Sequence, residues 1–424
     1  MWRAENKGLK QMLRKREVNR MPRRVAVIGG GASGLVAAIS AAGEGASVTV
    51  YESGARVGRK ILATGNGRCN MTNINASIEH YHGENPNFIR GVTERFWVEE
   101  TLEFFSGLGI VPKTEDDGRV YPYSGQASAV LDVLRLRAQA LGINIICSFD
   151  VETVNKKNGI FIIKAYDGRS VESDSVIIAT GGKAAPDLGS KGAGYDILKS
   201  FGHTITAIRP SLVQLRTASD TAGKLKGIHV NANVKLGSYA EYGEVLFTEY
   251  GLSGIAVFSL TSRLENHKII SLDLMPEYDS ARLINMLWLR VASAPETPLE
   301  SYFTGMLNKR VGQIILKQAG IAPLSRKSAT LGESEINRLA AIIKNWEFEI
   351  TGTMSWNNAQ VTKGGAATDE FEGATLMSKK VSNLYAAGEV LDIDGDCGGY
   401  NLQWAWASGY IAGKNAARGG LNNA

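Results

Sequence analysis

The segment from Arg24 to Gly34 constrains the fold of this chain more than any other part of it. An apolar run leads directly into the pattern Gly29-x-Gly31-x-x-Gly34, and an Ala-rich stretch follows over residues 35–42. This order predicts a buried strand, a tight glycine turn and a helix, which together form the first half of a dinucleotide-binding βαβ unit. In such a unit the N-terminus of the helix stabilises the charge of a pyrophosphate.

Glu52 completes the predicted unit. A second apolar strand over residues 46–51 ends at this acid, where a carboxylate accepts hydrogen bonds from an adenosine ribose. Ser53 occupies the position where an NADP site requires Arg, so a 2′-phosphate is not expected here. A glycine-rich turn on an ordinary α/β sheet is the alternative interpretation. The ordered strand, glycines, helix and acid favour dinucleotide binding over it.

Composition narrows the class of protein. The 424 residues exceed one ordinary core, so we expect two or three domains. The chain is 44% hydrophobic and 21% charged, and no apolar run approaches the roughly 20 residues that span a bilayer. Three cysteines without a CxxC pair exclude a disulfide scaffold and a zinc ribbon. We therefore expect a cytoplasmic protein without membrane association.

The net charge and the histidine content bear on nucleic-acid and metal binding. The net charge of +5 is modest and partly concentrated in residues 1–20. We expect a disordered extension there, or an upstream start codon ahead of Met21, in preference to a nucleic-acid-binding arm, and we expect no nucleic-acid partner. Five histidines without metal-ligand spacing indicate no metal site. The oligomeric state is not predicted by the sequence.

A second cofactor motif lies near the C-terminus. A short strand ends at Gly388 and Glu389, and Gly398-Gly399 then opens an apolar helix from Tyr400. The acid can hold a ribityl hydroxyl, and the helix N-terminus can face the edge of a flavin that becomes negative on reduction. Two cofactor motifs at opposite ends of one chain favour FAD over NAD.

Other segments supply further expected FAD contacts. The loops after Glu52 are rich in glycine and basic residues, a strand over residues 174–178 ends in another glycine turn, and segments 144–149 and 159–166 alternate like a hairpin. The cofactor-binding candidates are Gly29, Gly31, Ser33, Gly34, Glu52, Arg59, Lys60, Gly65, Asn70, Val151, Thr180, Gly181, Gly388, Glu389, Asn401 and Leu402.

Long linear motifs carry a family resemblance. They are GRKILATGNGRCNMTN (58–73), GEVLFT (243–248), GLSG (251–254), AQVTKGG (359–365) and AGEVLDIDGDCGGYNLQ (387–403). Over residues 22–418 the chain resembles the BaiN-type bacterial flavoproteins, a family that includes proteins described as aminoacetone oxidases. The resemblance implies an α/β fold with a glutathione-reductase-like FAD domain, an inserted β-barrel and a small helical domain. It also implies that Ser33, Glu52, Lys60, Val151, Glu389 and Leu402 contact FAD.

The expected domain boundaries follow the periodicity of the chain. Residues 21–205 and 357–424 form the discontinuous FAD domain, and residues 206–356 form the insertion. Within the insertion we expect a barrel over about 206–275 and 345–356 and helices over about 276–344. Helical periodicity covers 281–292, 302–318 and 334–344, and Thr330-x-x-Glu333 predicts a capping box before the last of these.

No residue stands out as catalytic. Cys69 and Cys397 lie in glycine-rich loops expected near the flavin, where they could be a redox pair, a thiolate or simply small packing residues. Tyr400 is a weak candidate for a proton donor. Trp404 and Trp406 face different sides of their helix, so we expect at least one of them in the core.

The expected function is that of a FAD-dependent oxidoreductase that transfers hydride through flavin N5. The resemblance implies NAD(P)H-dependent reduction of an activated C=C bond, as in an enone, steroid or bile-acid-like small molecule. The alternative is oxidation of a small amine such as aminoacetone, with release of hydrogen peroxide. Because no second GxGxxG pattern is present, NAD(P)H would bind only transiently, in a substrate cleft formed by the insertion. Departures from the family pattern at Glu249, Ile255 and residues 184–192 leave the substrate open.

Overall fold

A computed structural model describes residues 21–264 and 267–419, with the side chain of Asp116 left out. The predicted extension over residues 1–20 therefore lies outside the described residues. The described chain forms two compact units. The first runs from residue 21 to Gly182 and adds Leu188–Ala207 and the chain from Gly364 onward, whereas the second comprises Lys183–Asp187 and Ile208–Lys363.

The strands, in chain order, are β1 Arg24–Ile28, β2 Ser47–Tyr51, β3 Thr72–Asn73, β4 Tyr81–His82, β5 Pro112–Thr114, β6 Arg119–Pro122, β7 Asn144–Ile146, β8 Val151–Lys157, β9 Ile160–Ala165, β10 Ser170–Ser173, β11 Ser175–Ile178, β12 Arg209–Ser211, β13 Leu215–Thr217, β14 His229–Leu236, β15 Tyr239–Phe247, β16 Gly251–Ser253, β17 Ile269–Asp273, β18 Trp346–Thr353, β19 Val361–Lys363, β20 Leu384–Ala386 and β21 Asp394–Gly395.

The α-helices, in chain order, are α1 Ala32–Gly43, α2 Arg59–Ala63, α3 Arg90–Thr93, α4 Val98–Gly107, α5 Ala127–Ala140, α6 Ala193–Ser200, α7 Thr221–Lys224, α8 Ile255–Thr261, α9 Ser280–Ser293, α10 Lys309–Gln318, α11 Glu333–Lys344 and α12 Tyr400–Arg418.

A five-stranded sheet forms the centre of the first unit. Its strand order is β20-β11-β1-β2-β7, and every neighbouring pair is parallel. Strand β1 is buried along its length because Val25–Ile28 are apolar, as expected for a parallel sheet that is covered on both faces. The two ends of the described chain therefore enter one sheet, since β20 joins it next to β11.

Helices α1 and α12 pack unusually closely in the first unit. A Cβ added at Gly409 would lie 2.4 Å from the carbonyl oxygen of Ser33, and one at Gly413 would lie 2.2 Å from that of Ala37. The backbones can approach this far only because these two positions, one helical turn apart, carry no side chain. The pair fixes α12 against the helix that follows the glycine fingerprint.

The hairpin in the first unit differs from the predicted one. Strand β7 joins the edge of the parallel sheet next to β2, and the antiparallel partners are β8 and β9. The turn between them is Asn158-Gly159, with φ of 52° and 84°. Positive φ at both positions is typical of a type I′ hairpin turn, so this Asn-Gly pair fixes the register.

The second unit is built on a closed barrel with the strand order β13-β16-β15-β14-β17-β18. Its interior is apolar: the inward-facing Val234 and Phe247 alternate with more exposed residues along β14 and β15, and Leu272 lies in β17, which is buried from its second residue onward. Helices α9, α10 and α11 contribute Leu287, Ile315 and Leu339 to the same hydrophobic cluster. A barrel and helical segments within an α/β protein are the fold class that the sequence predicts.

Two predicted details of the helical segment are wrong. Helix α10 begins at Lys309 and not near Tyr302, because Asn308 caps it by accepting a hydrogen bond from the Arg310 amide at 3.0 Å. The predicted capping box of Thr330 and Glu333 does not form: Gly332 precedes helix α11, its amide donates to the Glu335 side chain at 3.0 Å, and glycine has no side chain to complete a box. Thr330 instead donates to the Lys327 carbonyl.

The described part of the chain contains neither a membrane-spanning helix nor a cluster of metal ligands. No helix within residues 21–264 and 267–419 is long and apolar enough to cross a bilayer. No group of three or more His, Cys, Asp or Glu among the same residues is arranged to hold a metal ion.

Candidate cofactor site

The glycine fingerprint forms a tight turn with one open position. Gly29 has a φ of 104°, and a Cβ there would lie 2.4 Å from the Ala179 carbonyl oxygen; a Cβ at Gly34 would lie 1.9 Å from that of Gly29. Gly31 differs, because no atom lies within 4 Å of its Cβ position. Gly31 is also the N-cap of α1, and no side chain caps this helix. Its amide end is therefore open to an anionic group.

Glu52 is held by backbone amides at the end of β2. Its Oε2 accepts from the Gly30 N–H at 2.8 Å, and its Oε1 accepts from the Gly54 N–H at 2.7 Å. The Ser53 hydroxyl also donates to Oε1, at 3.4 Å, so Oε2 is the oxygen that keeps a second lone pair for a ribose hydroxyl. The Phe149 amide donates to the Glu52 carbonyl at 2.9 Å, which brings the start of β8 at Val151 into the same region.

Arg59 and Lys60 begin α2, after Gly58 in the left-handed region with φ of 73°. The Arg59 Cδ lies 3.7 Å from the Cβ position of Gly54, so its stem runs beside the loop that holds Glu52. Lys60 Nζ forms an ion pair with Glu389 Oε2 at 2.7 Å, and both side chains are largely buried. This contact joins the two cofactor motifs across 329 residues of sequence.

Ser33 and Gly388 make a second junction between the motifs. The Ser33 hydroxyl donates to the Ala387 carbonyl at 3.3 Å, and a Cβ at Gly388 would lie 2.5 Å from the Ser33 Oγ. The Gly388 N–H donates to Ser408 Oγ at 2.9 Å, and its carbonyl accepts from Trp404 Nε1 at 3.1 Å. Helix α12 thus fixes the turn that carries Glu389.

An unpartnered amide oxygen lies at the N-terminus of α12. Gly399 caps this helix with φ of 103°, and a Cβ there would lie 2.9 Å from Asn70 Oδ1. Asn70 is only 9% exposed, and its Oδ1 has no hydrogen-bond partner within the described residues. Leaving a buried acceptor unpaired costs about 1–3 kcal/mol, so a polar ligand is expected here. A Cβ at Gly65, which has a φ of 55°, would lie 2.9 Å from the backbone nitrogen of Asn70.

The turn after β11 borders the fingerprint. The Thr180 Cα lies 2.9 Å from the Cβ position of Gly29, and a Cβ at Gly194 would meet Thr180 Oγ1 at 2.2 Å. Gly181 follows with φ of 72°. These contacts place the third predicted cofactor segment beside the first, at the carboxyl ends of β1 and β11, where α/β sheets bind their ligands.

The residues fit FAD as a group. Helix α1 has no side-chain cap at Gly31, and backbone amides orient the Glu52 carboxylate at the end of β2. Near the N-terminus of α12, the buried Asn70 Oδ1 has no hydrogen-bond partner within the described residues. The side chain of Asn401, a predicted cofactor contact, is hydrogen-bonded within the protein. Its Oδ1 accepts from the Gly395 N–H at 2.8 Å, and its Nδ2 donates to the carbonyls of Gly395 at 2.7 Å and Asp396 at 3.2 Å. Its side chain therefore shapes the preceding loop. Leu402 lies half-buried in the first turn of α12.

The cysteine and aromatic candidates occupy different environments. Cys69 is fully buried, and burial raises the pKa of its thiol to about 12, against a weaker opposing hydrogen bond from Thr64. Cys69 is therefore a neutral thiol at pH 7, which disfavours a thiolate role. None of the three described cysteines, Cys69, Cys147 and Cys397, forms a disulfide. Trp404 and Trp406 are both buried, at 2% and 0% exposure.

Sequence reasoning missed a cluster of two histidines around one carboxylate. His80 Nδ1 lies 3.1 Å from Asp396 Oδ2, and His82 Nε2 lies 2.7 Å from Asp396 Oδ1. The His80 ring stacks on Tyr400 with centroids 4.3 Å apart. The His-x-His spacing was an available signal, because alternate residues of an extended chain share one face. Nothing in the sequence pointed to Asp396, more than 300 residues away.

Comparison with known proteins identifies the family. The HI0933-like protein Rossmann domain family matches residues 23–415. The chain belongs to this family. The 3-dehydro-bile acid delta(4,6)-reductase of Clostridium scindens is 38% identical over 407 residues, covering 93% of this chain and 99% of that protein. Proteins named ribosomal RNA dihydrouridine synthase are 31% identical in Haemophilus influenzae and 30% in Escherichia coli. They cover 92% and 91% of this chain and 98% and 95% of their own lengths.

These findings confirm three predictions. The BaiN-type resemblance and the Rossmann-type fold are confirmed by the family match and the Clostridium scindens relative. The enzyme class, a FAD-dependent oxidoreductase, is confirmed as well. The individual FAD contacts and the catalytic residue stay predictions.

Proposed function

We propose that this protein reduces a C=C bond conjugated to a carbonyl group, with NAD(P)H as electron donor and FAD as the bound cofactor. The substrate class that we favour is a small cyclic enone of steroid or bile-acid type. The observation that carries the proposal is the 38% identity, over nearly the whole of both chains, to a protein named as a bile acid reductase.

The names of the relatives share one kind of chemistry. A delta(4,6)-reductase of a 3-dehydro compound and a dihydrouridine synthase both saturate a ring C=C bond near a carbonyl. In such a substrate the β-carbon is electrophilic and accepts hydride, while a proton is added at the α-carbon. The two substrates therefore need the same reducing centre and differ in what the rest of the protein recognises.

The chain's own residues would hold the cofactor at both ends. Glu52 would accept from the adenosine ribose while its oxygens stay fixed by the amides of Gly30 and Gly54. The uncapped end of α1 at Gly31 would stabilise the pyrophosphate. Glu389, fixed by Lys60, would accept from a ribityl hydroxyl. FAD, when bound, supplies a carrier that accepts hydride from a nicotinamide and donates it to the substrate.

Asn70 and the start of α12 would hold the redox-active end of the cofactor. The unpartnered Oδ1 of Asn70 can accept a hydrogen bond from a ring N–H, and the amides that follow Gly399 favour negative charge. Because the chain has one dinucleotide fingerprint, which we assign to FAD, the nicotinamide would bind transiently and in turn with the enone.

A uridine base in ribosomal RNA is the second candidate substrate. Two relatives at 30% and 31% identity are named for this reaction, which favours it specifically. It departs from the sequence-based expectation that nucleic acid is not a partner. We rank RNA second because these two relatives are 31% and 30% identical to the chain, whereas the bile acid reductase is 38% identical.

One experiment separates the candidates. Purified protein loaded with FAD is mixed anaerobically with NADH or NADPH, and flavin bleaching is followed by stopped flow. The reduced protein is then mixed with a 3-oxo-4,6-diene steroid, with ribosomal RNA that lacks dihydrouridine, or with buffer. We expect fast reduction by one nicotinamide and fast reoxidation by the steroid, with saturated product found by mass spectrometry.

The controls define the outcomes. A Glu52→Ala variant should bind FAD more weakly and, at limiting FAD, show less of both half-reactions, whereas substitution of the exposed Glu244 of the barrel should change neither half-reaction. Reoxidation by RNA with dihydrouridine formation would make the second candidate the function. Rapid anaerobic bleaching by aminoacetone, but not by NADH or NADPH, would overturn the proposal in favour of an amine oxidase.

A further inference from the structure

A second chemical centre lies in the first unit, beside the start of α12. It consists of His80, His82 and Asp396, which we call the imidazole pair and its carboxylate. Both oxygens of Asp396 are engaged, one by each ring, at 3.1 and 2.7 Å. The side chains of His82 and Asp396 are mostly buried, and that of His80 is 35% exposed.

We propose that the imidazole pair is the proton acceptor that becomes charged when the bound cofactor is reduced, and that it returns this proton during reduction of the substrate. The inference rests on the proposed function, since it requires FAD at the site described above. It assigns a role to His80 and His82 as proton carriers and to Asp396 as a positioning residue.

The arrangement leaves one nitrogen of each ring available for a proton. In the neutral state each imidazole donates its N–H to Asp396, which as a carboxylate can only accept. His80 Nε2 and His82 Nδ1 then carry the lone pairs, and no hydrogen bond to either atom is present within the described residues. One added proton converts the triad from a net charge of −1 to zero.

The centre is attached to the helix terminus expected to face the flavin. Asp396 lies three residues before Gly399, and its carbonyl accepts from the Asn401 amide at 3.2 Å. His80 stacks on Tyr400, the first residue of α12, and the Tyr81 hydroxyl donates to the Tyr400 carbonyl at 3.0 Å. Strands β4 and β21 pair, which brings Tyr81 opposite Gly395 and His82 opposite Asp394.

The proton balance of the reaction creates a need for such a group. Saturation of the C=C bond consumes a hydride at the β-carbon and a proton at the α-carbon. Hydride transfer from the nicotinamide brings two electrons and one proton to the cofactor and lowers its net charge by one. An imidazole that takes a proton from solvent at that stage balances the added charge. The same proton is then available when hydride passes on to the substrate.

Other titratable groups surround the imidazoles and contribute to the field that they experience. Those on the same or adjoining segments are Glu79, Tyr81, Glu84, Asp392, Asp394, Cys397 and Tyr400. Burial raises the pKa of Tyr81 well above its usual value, and Tyr400 and Asp396 add to this effect. Tyr81 therefore stays neutral and does not compete for the proton.

The test is the pH dependence of the midpoint potential of bound FAD, measured by spectroelectrochemistry between about pH 5.5 and 8.5. Each proton taken up with two electrons changes the reduction equilibrium tenfold per pH unit, or about 30 mV. We expect the wild type to show a two-proton segment, with a hundredfold change or about 59 mV per pH unit. A His80→Gln, His82→Gln double variant should show a smaller slope over the same pH range, because only the cofactor itself then takes up protons.

Controls keep the outcome interpretable. His229→Gln removes an exposed histidine of the second unit that pairs with Glu244, and it should leave the wild-type slope unchanged. Asp396→Asn keeps the shape of the side chain and removes its charge, so it should retain FAD and reduce the slope toward that of the double variant. Single His variants serve if the double variant does not fold.

Two results would overturn the inference and are distinguishable. If wild type and the double variant both bind FAD and share one slope, the imidazole pair is not coupled to the cofactor, and the proposed function stands. If the wild type binds no FAD, the proposed function fails together with this inference.

Discussion

Replacing Gly413 by alanine is expected to destabilise the first unit, although alanine is the better helix former. The added Cβ would lie 2.2 Å from the Ala37 carbonyl oxygen and 2.9 Å from its carbonyl carbon. Ordinary contact begins near 3.4 Å, so α12 and α1 must separate by about 1.2 Å at this point. Both atoms belong to the backbone of a buried helix, so no flexible side chain can yield.

The magnitude follows from two opposing effects. Overpacking of a well-packed core costs about 1–3 kcal/mol, and the rigid backbone on both sides argues for the upper end. Alanine recovers about 1 kcal/mol relative to glycine inside a helix. The free energy of unfolding of the first unit should therefore fall by about 2 kcal/mol.

Gly43→Ala is the matched control. This glycine is exposed at the end of α1, and no atom lies within 4 Å of its Cβ position. Its replacement should be neutral or slightly stabilising. The assay is urea unfolding followed by circular dichroism, with hydrogen exchange of α1 and α12 to locate the effect. If Gly413→Ala proves as stable as Gly43→Ala, the close approach of the two helices is refuted.

Four further predictions follow from the same structure. Glu52→Ala should raise the Kd for FAD roughly ten- to a hundredfold, because a charge-assisted hydrogen bond of about 1.5–3 kcal/mol is lost, and an unchanged Kd by fluorescence titration would contradict the assignment. Burial lowers the pKa of His203 below its usual value, so the unfolded chain binds a proton at this residue more readily than the folded chain. The urea midpoint should therefore fall as the pH drops below about 6.5, and this fall should be absent in His203→Gln. Burial alone would raise the pKa of Glu370, but hydrogen bonds from Lys380, Thr204 and His203 lower it to about 2. Its contribution to the free energy of unfolding is therefore fully present above about pH 4.5 and is lost toward about pH 2, and comparison of the pH dependence of unfolding with that of Glu370→Gln tests this. Cys69 should resist a thiol reagent in the native protein and react only on unfolding, so rapid labelling of Cys69 would disprove its burial.

Local signals gave the fold of the first unit. The turn at Gly29 and the open position at Gly31 were predictable because glycine spacing encodes backbone geometry directly. Glu52 was predictable because it ends a strand that neighbours the fingerprint. The misplaced hairpin shows the limit of strand periodicity: β8 is mostly polar and carries only two apolar residues, so the Asn158-Gly159 turn is the local signal that pairs it with β9.

Long-range pairings were beyond the sequence. Lys60 and Glu389 were both candidates, yet their direct contact could not be foreseen because 329 residues separate them. The engagement of Asn401 by Gly395 was hidden for a different reason, since a polar residue at a helix start has several equivalent partners. The position of Asp396 beside the two histidines depends on the pairing of β4 with β21. Strands of two residues are too short to be predicted from a sequence pattern.

The threading of both chain ends into one sheet has a consequence for biosynthesis. On the ribosome, β1, α1 and β2 emerge early, but β20, Glu389 and the Ser408 hydroxyl that holds the Gly388 turn appear only after nearly all of the chain has been made. The nascent fingerprint must wait through the translation of the whole second unit before its partner helix arrives. We therefore expect FAD to bind only after α12 has been made, and we expect chains that stop before α12 to contain no yellow cofactor.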